Sequence, residues 1–178
     1  MDKNKKKISL KELLDEKNQE GANVINEYMN NGGVFQDMFG FTDEMMEARY
    51  AKAYDCYHRG DFKDALEGFT YLTMLNPYVK KYWMALGATQ VRSSDYDAAS
   101  VTYSVVAILD ANDPTSHFFA APCYLHMEQR DDAIKSLELA IEIAKKDHQY
   151  RDIENRANKL LVELTTGKVE LTTGKKKY

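Results

Sequence analysis

The 178-residue chain is 44% hydrophobic and 29% charged with only three prolines, a balance that permits one folded domain with long uninterrupted helices and excludes a disordered chain. Its net charge of −4 is unevenly spread: residues 1 to 7 and 168 to 178 each carry a net +3, and the body between them is acidic. No nucleic acid partner is expected without a broad basic face; no apolar h-region follows the N-terminal lysines and no apolar run nears ~18 residues, so neither a cleaved export signal nor direct membrane insertion is expected.

The N-terminal element spans residues 1–33. Ser9-Leu10-Lys11-Glu12 forms a capping-box pattern that opens an amphipathic helix through Met29, and Asn30-Asn31-Gly32-Gly33 is a stop and a joint. Residues 34–146 then repeat. Ala65, Ala99 and Ala133 lie 34 residues apart, as do Phe69, Tyr103 and Leu137; the same step carries Ala53 to Gly87 to Ala121, and Leu72 to Val106 to Ala140. This period, with Trp83, Leu86 and Gly87, then Ala99 and Tyr103, and with Pro77 closing the first unit, is the tetratricopeptide pattern. The units are placed at about 46–79, 80–113 and 114–147.

Each unit is read as two antiparallel helices, A and B. Helices are predicted over 44–58, 62–75, 79–93, 96–110, 114–128 and 130–146. Gly60-Asp61 and Ser94-Asp95 fall in A-to-B turns, while Asn76-Pro77 and Asp113-Pro114 separate units, with Asp113 suited to cap and Pro114 to begin a helix. Pro122 lies well inside the third A helix and is expected to kink or open it, because it cannot donate to the carbonyl of Phe118. Ile153, Ala157, Leu160, Leu161 and Leu164 keep helical spacing on one face, so 147–166 is read as a capping helix; 167–178 is read as a basic, disordered tail. VELTTGK occurs twice in succession, at Val162–Lys168 and Val169–Lys175, and no role is assigned to it.

The expected fold is therefore all-α, a tetratricopeptide-repeat solenoid of three helix-turn-helix repeats with an N-terminal helix and a C-terminal capping helix. Small residues let helices approach, the aromatic four residues later fills the space above, and stacking leaves a concave surface lined mainly by A helices. The candidate surface takes Tyr50, Tyr54, Tyr57 and His58 from the first repeat, Met84 and Val91 from the second, and Phe118 and Leu125 from the third. In an isolated amphipathic helix the tyrosine stripe would be core. Within the repeat, packing is assigned to other positions, so the stripe is read as groove lining that offers ring area and a hydroxyl to a peptide.

From about Gly33 to Ala144 the sequence resembles the class II chaperones of type III secretion systems. The resemblance is carried by Tyr50-Ala51-Lys52-Ala53-Tyr54 with Tyr57, Gly60-Asp61-Phe62-Lys63-Asp64-Ala65, Gly87-Ala88-x-Gln90, and Asp113-Pro114 entering the third repeat. It implies a cytoplasmic bacterial protein whose groove takes an extended segment near the N-terminus of hydrophobic translocator proteins. It further implies pockets near Tyr50, Tyr54, Tyr57, Leu72 and Trp83, and a homodimer formed through the N-terminal helix. Pro122 and the absence of a proline at Ala111 depart from the family pattern.

Catalysis is not expected. His58, His117, His126 and His148 form no H-E-x-x-H pair, and neither a nucleophile elbow nor a phosphate loop occurs. Cys56 and Cys123 lie outside any C-x-x-C arrangement, so no disulfide framework, metal or cofactor is expected. The alternative is a general tetratricopeptide adaptor or regulatory scaffold. A clamp for acidic C-termini is disfavoured, since its cationic positions hold Tyr50, Tyr54, Ala85, Thr115 and Phe119.

Overall fold

The computed structural model describes residues 18–166, and among them the regular structure is helical with no strand. In chain order, α1 is Asn18–Asn30, α2 Phe35–Met38, α3 Asp43–Arg59, α4 Phe62–Leu75, α5 Lys80–Arg92, α6 Tyr96–Leu109, α7 Thr115–His126 and α8 Arg130–Ala144. A single 3-10 turn, His148–Tyr150, leads into α9, Arg151–Thr165. The Ser9 capping box, the lysine-rich start and the second VELTTGK copy lie outside the described residues.

The A and B helices of the three repeats are α3 and α4, α5 and α6, and α7 and α8, and their turns share one hydrogen-bonding scheme. At the first, Gly60 adopts a left-handed φ of 85°; its N–H donates to the Tyr57 carbonyl at 3.1 Å and that of Asp61 to Cys56 at 2.9 Å. These paired bonds satisfy two carbonyls at the end of the helix and reverse the chain within two residues. The scheme recurs one and two periods later, with Ser94 at φ 62° and Glu128 at φ 61°, followed by Asp95 bonding Gln90 at 2.9 Å and Gln129 bonding Tyr124 at 2.8 Å. Glycine is free in this conformation, whereas Ser94 and Glu128 adopt it against the clash of their own Cβ.

Helix starts follow their caps. Thr42 Oγ1 accepts from the Met45 amide at 3.3 Å with Asp43 and Glu44 in the first turn, and Asp95 accepts from Ala98 at 3.3 Å. Asp113 accepts from the Thr115 amide at 2.8 Å while Pro114 already has helical torsions of −71° and −12°. Pro122 does not open the third A helix: α7 runs unbroken from Thr115 to His126 with the proline inside it, although proline has no N–H to donate.

The chain divides into two compact units, one ending at Thr89 and one beginning at Gln90. In the first, Met46, Ala53 and Cys56 of α3 pack with Ala65, Phe69, Leu72 and Leu75 of α4 and with Tyr82 and Leu86 of α5. Ala53 and Gly68 set the closeness of α3 and α4, because a Cβ built on Gly68 would stand 2.7 Å from the Ala53 Cβ. The short helix α2, which the sequence pattern does not announce, is tied down by buried Gln36: its side chain donates to Asp43 and accepts from Asn76, both at 2.8 Å.

In the second unit, Phe118, Ala121 and Leu125 of α7 pack with Ala133, Leu137, Ala140 and Ile141 of α8 and with Ala157 and Leu164 of α9. Arg130 donates to the Leu164 carbonyl, fastening the end of α9 to the start of α8. The capping element anticipated over 147–166 is thus the 3-10 turn plus α9, with Asp147 accepting from the Gln149 amide at 3.0 Å to start it.

Candidate functional site: an aromatic row on the first hairpin

Tyr50, Tyr54 and Tyr57 recur at intervals of four and three residues, so α3 lays them along one stripe. The rings of Tyr50 and Tyr54 stack with centroids 5.9 Å apart and planes 18° apart; Tyr54 and Tyr57 follow at 6.4 Å and 21°. His58 closes the row edge-on, 4.4 Å from Tyr54 and 5.5 Å from Tyr57, and Phe62 of α4 meets Tyr57 at 5.9 Å. Tyr54 is 46% exposed, His58 is exposed, and Tyr50 and Tyr57 are half-buried, so the row presents ring surface to solvent while its base is held by the core.

Tyr50 is the most firmly seated, lying 5.6 Å from Phe69 and 5.8 Å from Tyr82. The Lys81 ammonium stands 5.0 Å over the Tyr50 ring and 5.6 Å from Tyr82, and Lys81 is ion-paired with Glu47. A cation over a ring face is attracted by the ring quadrupole. Burial, with Tyr54 and Glu47 nearby, raises the Tyr50 phenol above its ordinary pKa, so it stays neutral at physiological pH. Tyr50 is therefore a neutral ring beside a closed ion pair at one end of the row.

Other sequence-predicted residues lie elsewhere. Leu72 is fully buried in the core of the first unit and does not line an accessible pocket. Trp83 is half-buried and its indole N–H donates to the Pro77 carbonyl at 2.8 Å, bracing the turn between the first two repeats. Met84 is half-buried in the first unit, and Val91 half-buried in the second.

Phe118 and Leu125 are 7% and 6% exposed, which corrects their placement on an open groove wall. They stand two periods beyond Tyr50 and Tyr57, but α9 closes over them, with the Arg156 guanidinium 4.7 Å above the Phe118 ring. Lys81 and Glu47 were missed by the sequence reading although a signal existed, since opposite charges one 34-residue step apart occupy the same position in successive A helices.

The arrangement offers no evident nucleophile or metal cluster. Burial pushes the Cys123 thiol up to about 11, which keeps it protonated, and among the described residues no three His, Cys, Asp or Glu side chains gather into a metal-binding group. Among the same residues no helix is long and apolar enough to cross a membrane.

Repeated helical hairpins with a shared turn geometry and small residues at their crossings define a tetratricopeptide-repeat protein, and residues 81–113 match the family model for that repeat. The low calcium response locus protein H of Yersinia pestis is 27% identical over 143 residues, covering 80% of this chain and 85% of that protein. The chaperone protein SicA of Salmonella dublin is 30% identical over 121 residues, 68% of this chain and 73% of that one. Among solved structures, the Yersinia enterocolitica type III secretion chaperone SycD in complex with a peptide of the translocator YopD superposes with a TM-score of 0.66 at 27% identity, covering 72% of this chain and 98% of that one. The chain belongs to the class II, or translocator, chaperones of type III secretion systems.

Proposed function

We propose that the chain is a bacterial cytoplasmic escort for hydrophobic translocator proteins of a type III secretion system, and that it holds an extended segment near their N-termini against the aromatic row of α3. The observation that carries this reading is the solvent-facing stack of Tyr50, Tyr54, Tyr57 and His58 on a core that is already well packed beneath it. Because the wall is preformed, the guest bears most of the ordering entropy, and flat rings offer contact area with few rotamers to freeze. A relative with the same fold that was solved with a translocator peptide supports the assignment.

The role is binding rather than catalysis. A translocator must eventually enter a bilayer and therefore carries apolar segments that aggregate or insert early if left exposed; an escort that binds the unassembled form lowers its free concentration. Self-association through the N-terminal helix belongs to the same proposal. Co-expression with the translocators of the same secretion system tests the function: they should be recovered in the soluble fraction bound to the wild-type chain and in aggregates without it. Recovery of soluble signalling proteins, with the translocators insoluble in both cases, would instead favour a regulatory adaptor.

A further inference from the structure

At Tyr50 the aromatic row meets a charge pair. Lys81, the second residue of α5, stands in the first turn of that helix, which holds no acidic residue, although a cation there opposes the helix dipole. Its ammonium lies 5.0 Å over the Tyr50 ring and pairs with Glu47, three residues before Tyr50 on α3. Side-chain exposures of 44% for Lys81 and 56% for Glu47 leave both charges at the surface beside the row. An ammonium has three donors, and Glu47 takes one of them.

An exposed pair of this kind contributes little to folding, and Tyr50 already rests on Phe69 and Tyr82. A guest lying on the row changes the surroundings of the pair. It displaces water from Lys81, and the donors that water had satisfied then need oxygen partners. Glu47 supplies one, and the guest has to supply another.

We propose that Lys81 is a specificity residue of the row, taking a carboxylate of the guest and turning away a guest that places a cation there. The assignment rests on the row being the guest wall. Spacing sets where the carboxylate falls. The Tyr50 and Tyr54 rings are 5.9 Å apart, and side chains of an extended strand return to the same face every ~6.6 Å. A residue seated on Tyr54 therefore puts the side chain two positions away over Tyr50 and beside Lys81. The segment that fits carries an apolar residue and, two positions from it, an aspartate or glutamate.

Glu47 and Lys81 then act in opposite directions. With the row empty, Glu47 neutralises the ammonium; with an acidic guest in place, it competes for the same donors and stands as a like charge beside the guest carboxylate. Removing the charge of Glu47 should help such a guest, and removing that of Lys81 should harm it. A pair that only braces α3 against α5 behaves differently, because either loss breaks the same contact and the result is the same for every guest.

Fluorescence anisotropy on the full chain tests this, with a labelled N-terminal translocator segment, a series in which each of its carboxylates in turn is replaced by the amide, and thermal melts to show that the variants fold. Lys81→Met, which keeps the apolar stem over Tyr50, should weaken binding of the parent segment about tenfold. One amide replacement, two positions from an apolar residue, should weaken binding to the wild type as much and have no further effect on Lys81→Met. Glu47→Gln should tighten the parent segment about threefold and leave that amide segment unchanged. Lys81→Met within about twofold of the wild type, an amide effect as large on Lys81→Met as on the wild type, or weaker binding by Glu47→Gln would each overturn the proposal. Tyr54→Ala keeps it distinct from the row itself. If that variant loses affinity while the charge variants do not, the row stands as the guest wall and the carboxylate assignment falls; if Tyr54→Ala has no effect either, both fall.

Discussion

Removing one ring from the row separates binding from folding, provided the ring is Tyr54. Its side chain is 46% exposed and its neighbours are the stacked rings of Tyr50 and Tyr57 and the edge of His58, so Tyr54→Ala deletes surface contacts and opens no cavity. Aromatic pairs contribute about 0.5–1.5 kcal/mol each, with exposed ones at the low end, so the expected loss of stability is about 1 kcal/mol. For a chain of this size that lowers Tm by about 2–4 °C.

Guest affinity should fall much further. A central aromatic anchor typically contributes about 2 kcal/mol or more, equivalent to about 30-fold in Kd. Tyr50→Ala is the control, because its ring also rests on Phe69 and Tyr82 and its loss should cost about 2–4 kcal/mol of stability as well as affinity. The assay is fluorescence anisotropy with a labelled N-terminal segment of a translocator, alongside thermal melts. If Tyr54→Ala leaves Kd within about twofold while retaining its fold, the aromatic row is not the guest wall and the reasoning fails.

Three further outcomes test the fold itself. Ser94→Gly and Glu128→Gly should each stabilise the chain by about 1 kcal/mol in chemical denaturation by relieving a left-handed residue, and neither should alter guest binding. Gly68→Val should destabilise by about 1–3 kcal/mol by forcing α3 and α4 apart, seen as a lower denaturation midpoint. Burial holds the His117 imidazole below its ordinary pKa, so the unfolded chain takes up a proton first as pH falls. Its contribution to stability is complete above about pH 6.5 and is lost as the pH drops towards the folded value; His117→Gln should therefore flatten the acid-side fall in Tm.

Much of the architecture was legible because the period encodes packing. Ala65, Ala99 and Ala133 are all fully buried, as are Leu72, Val106 and Ala140, which mark a core position in each B helix. That same step placed Leu72 inside, and the groove assignment carried over for it from the family resemblance is the one to discard.

What the sequence could not show depended on neighbours rather than on pattern. Phe118 and Leu125 sit where Tyr50 and Tyr57 sit, and whether such positions face solvent is decided by the element packed against them, here α9. Pro122 removes one donor, yet α7 stays helical from Thr115 to His126, with Phe118 and Ala121 on one side of it and Leu125 on the other packed into a core shared with α8 and α9. The turn at Glu128 carried no glycine or serine to mark it, and only the 34-residue step from Gly60 and Ser94 locates it.

The measurement closest to the central claim is amide chemical-shift mapping of the isotopically labelled chain on addition of an N-terminal translocator segment. Shifts concentrated on Tyr50 to His58 and at Lys81, with the core of α4 unmoved, are the predicted result. Shifts confined to α9, with the amides of Tyr50 to His58 unchanged at saturation, would contradict it.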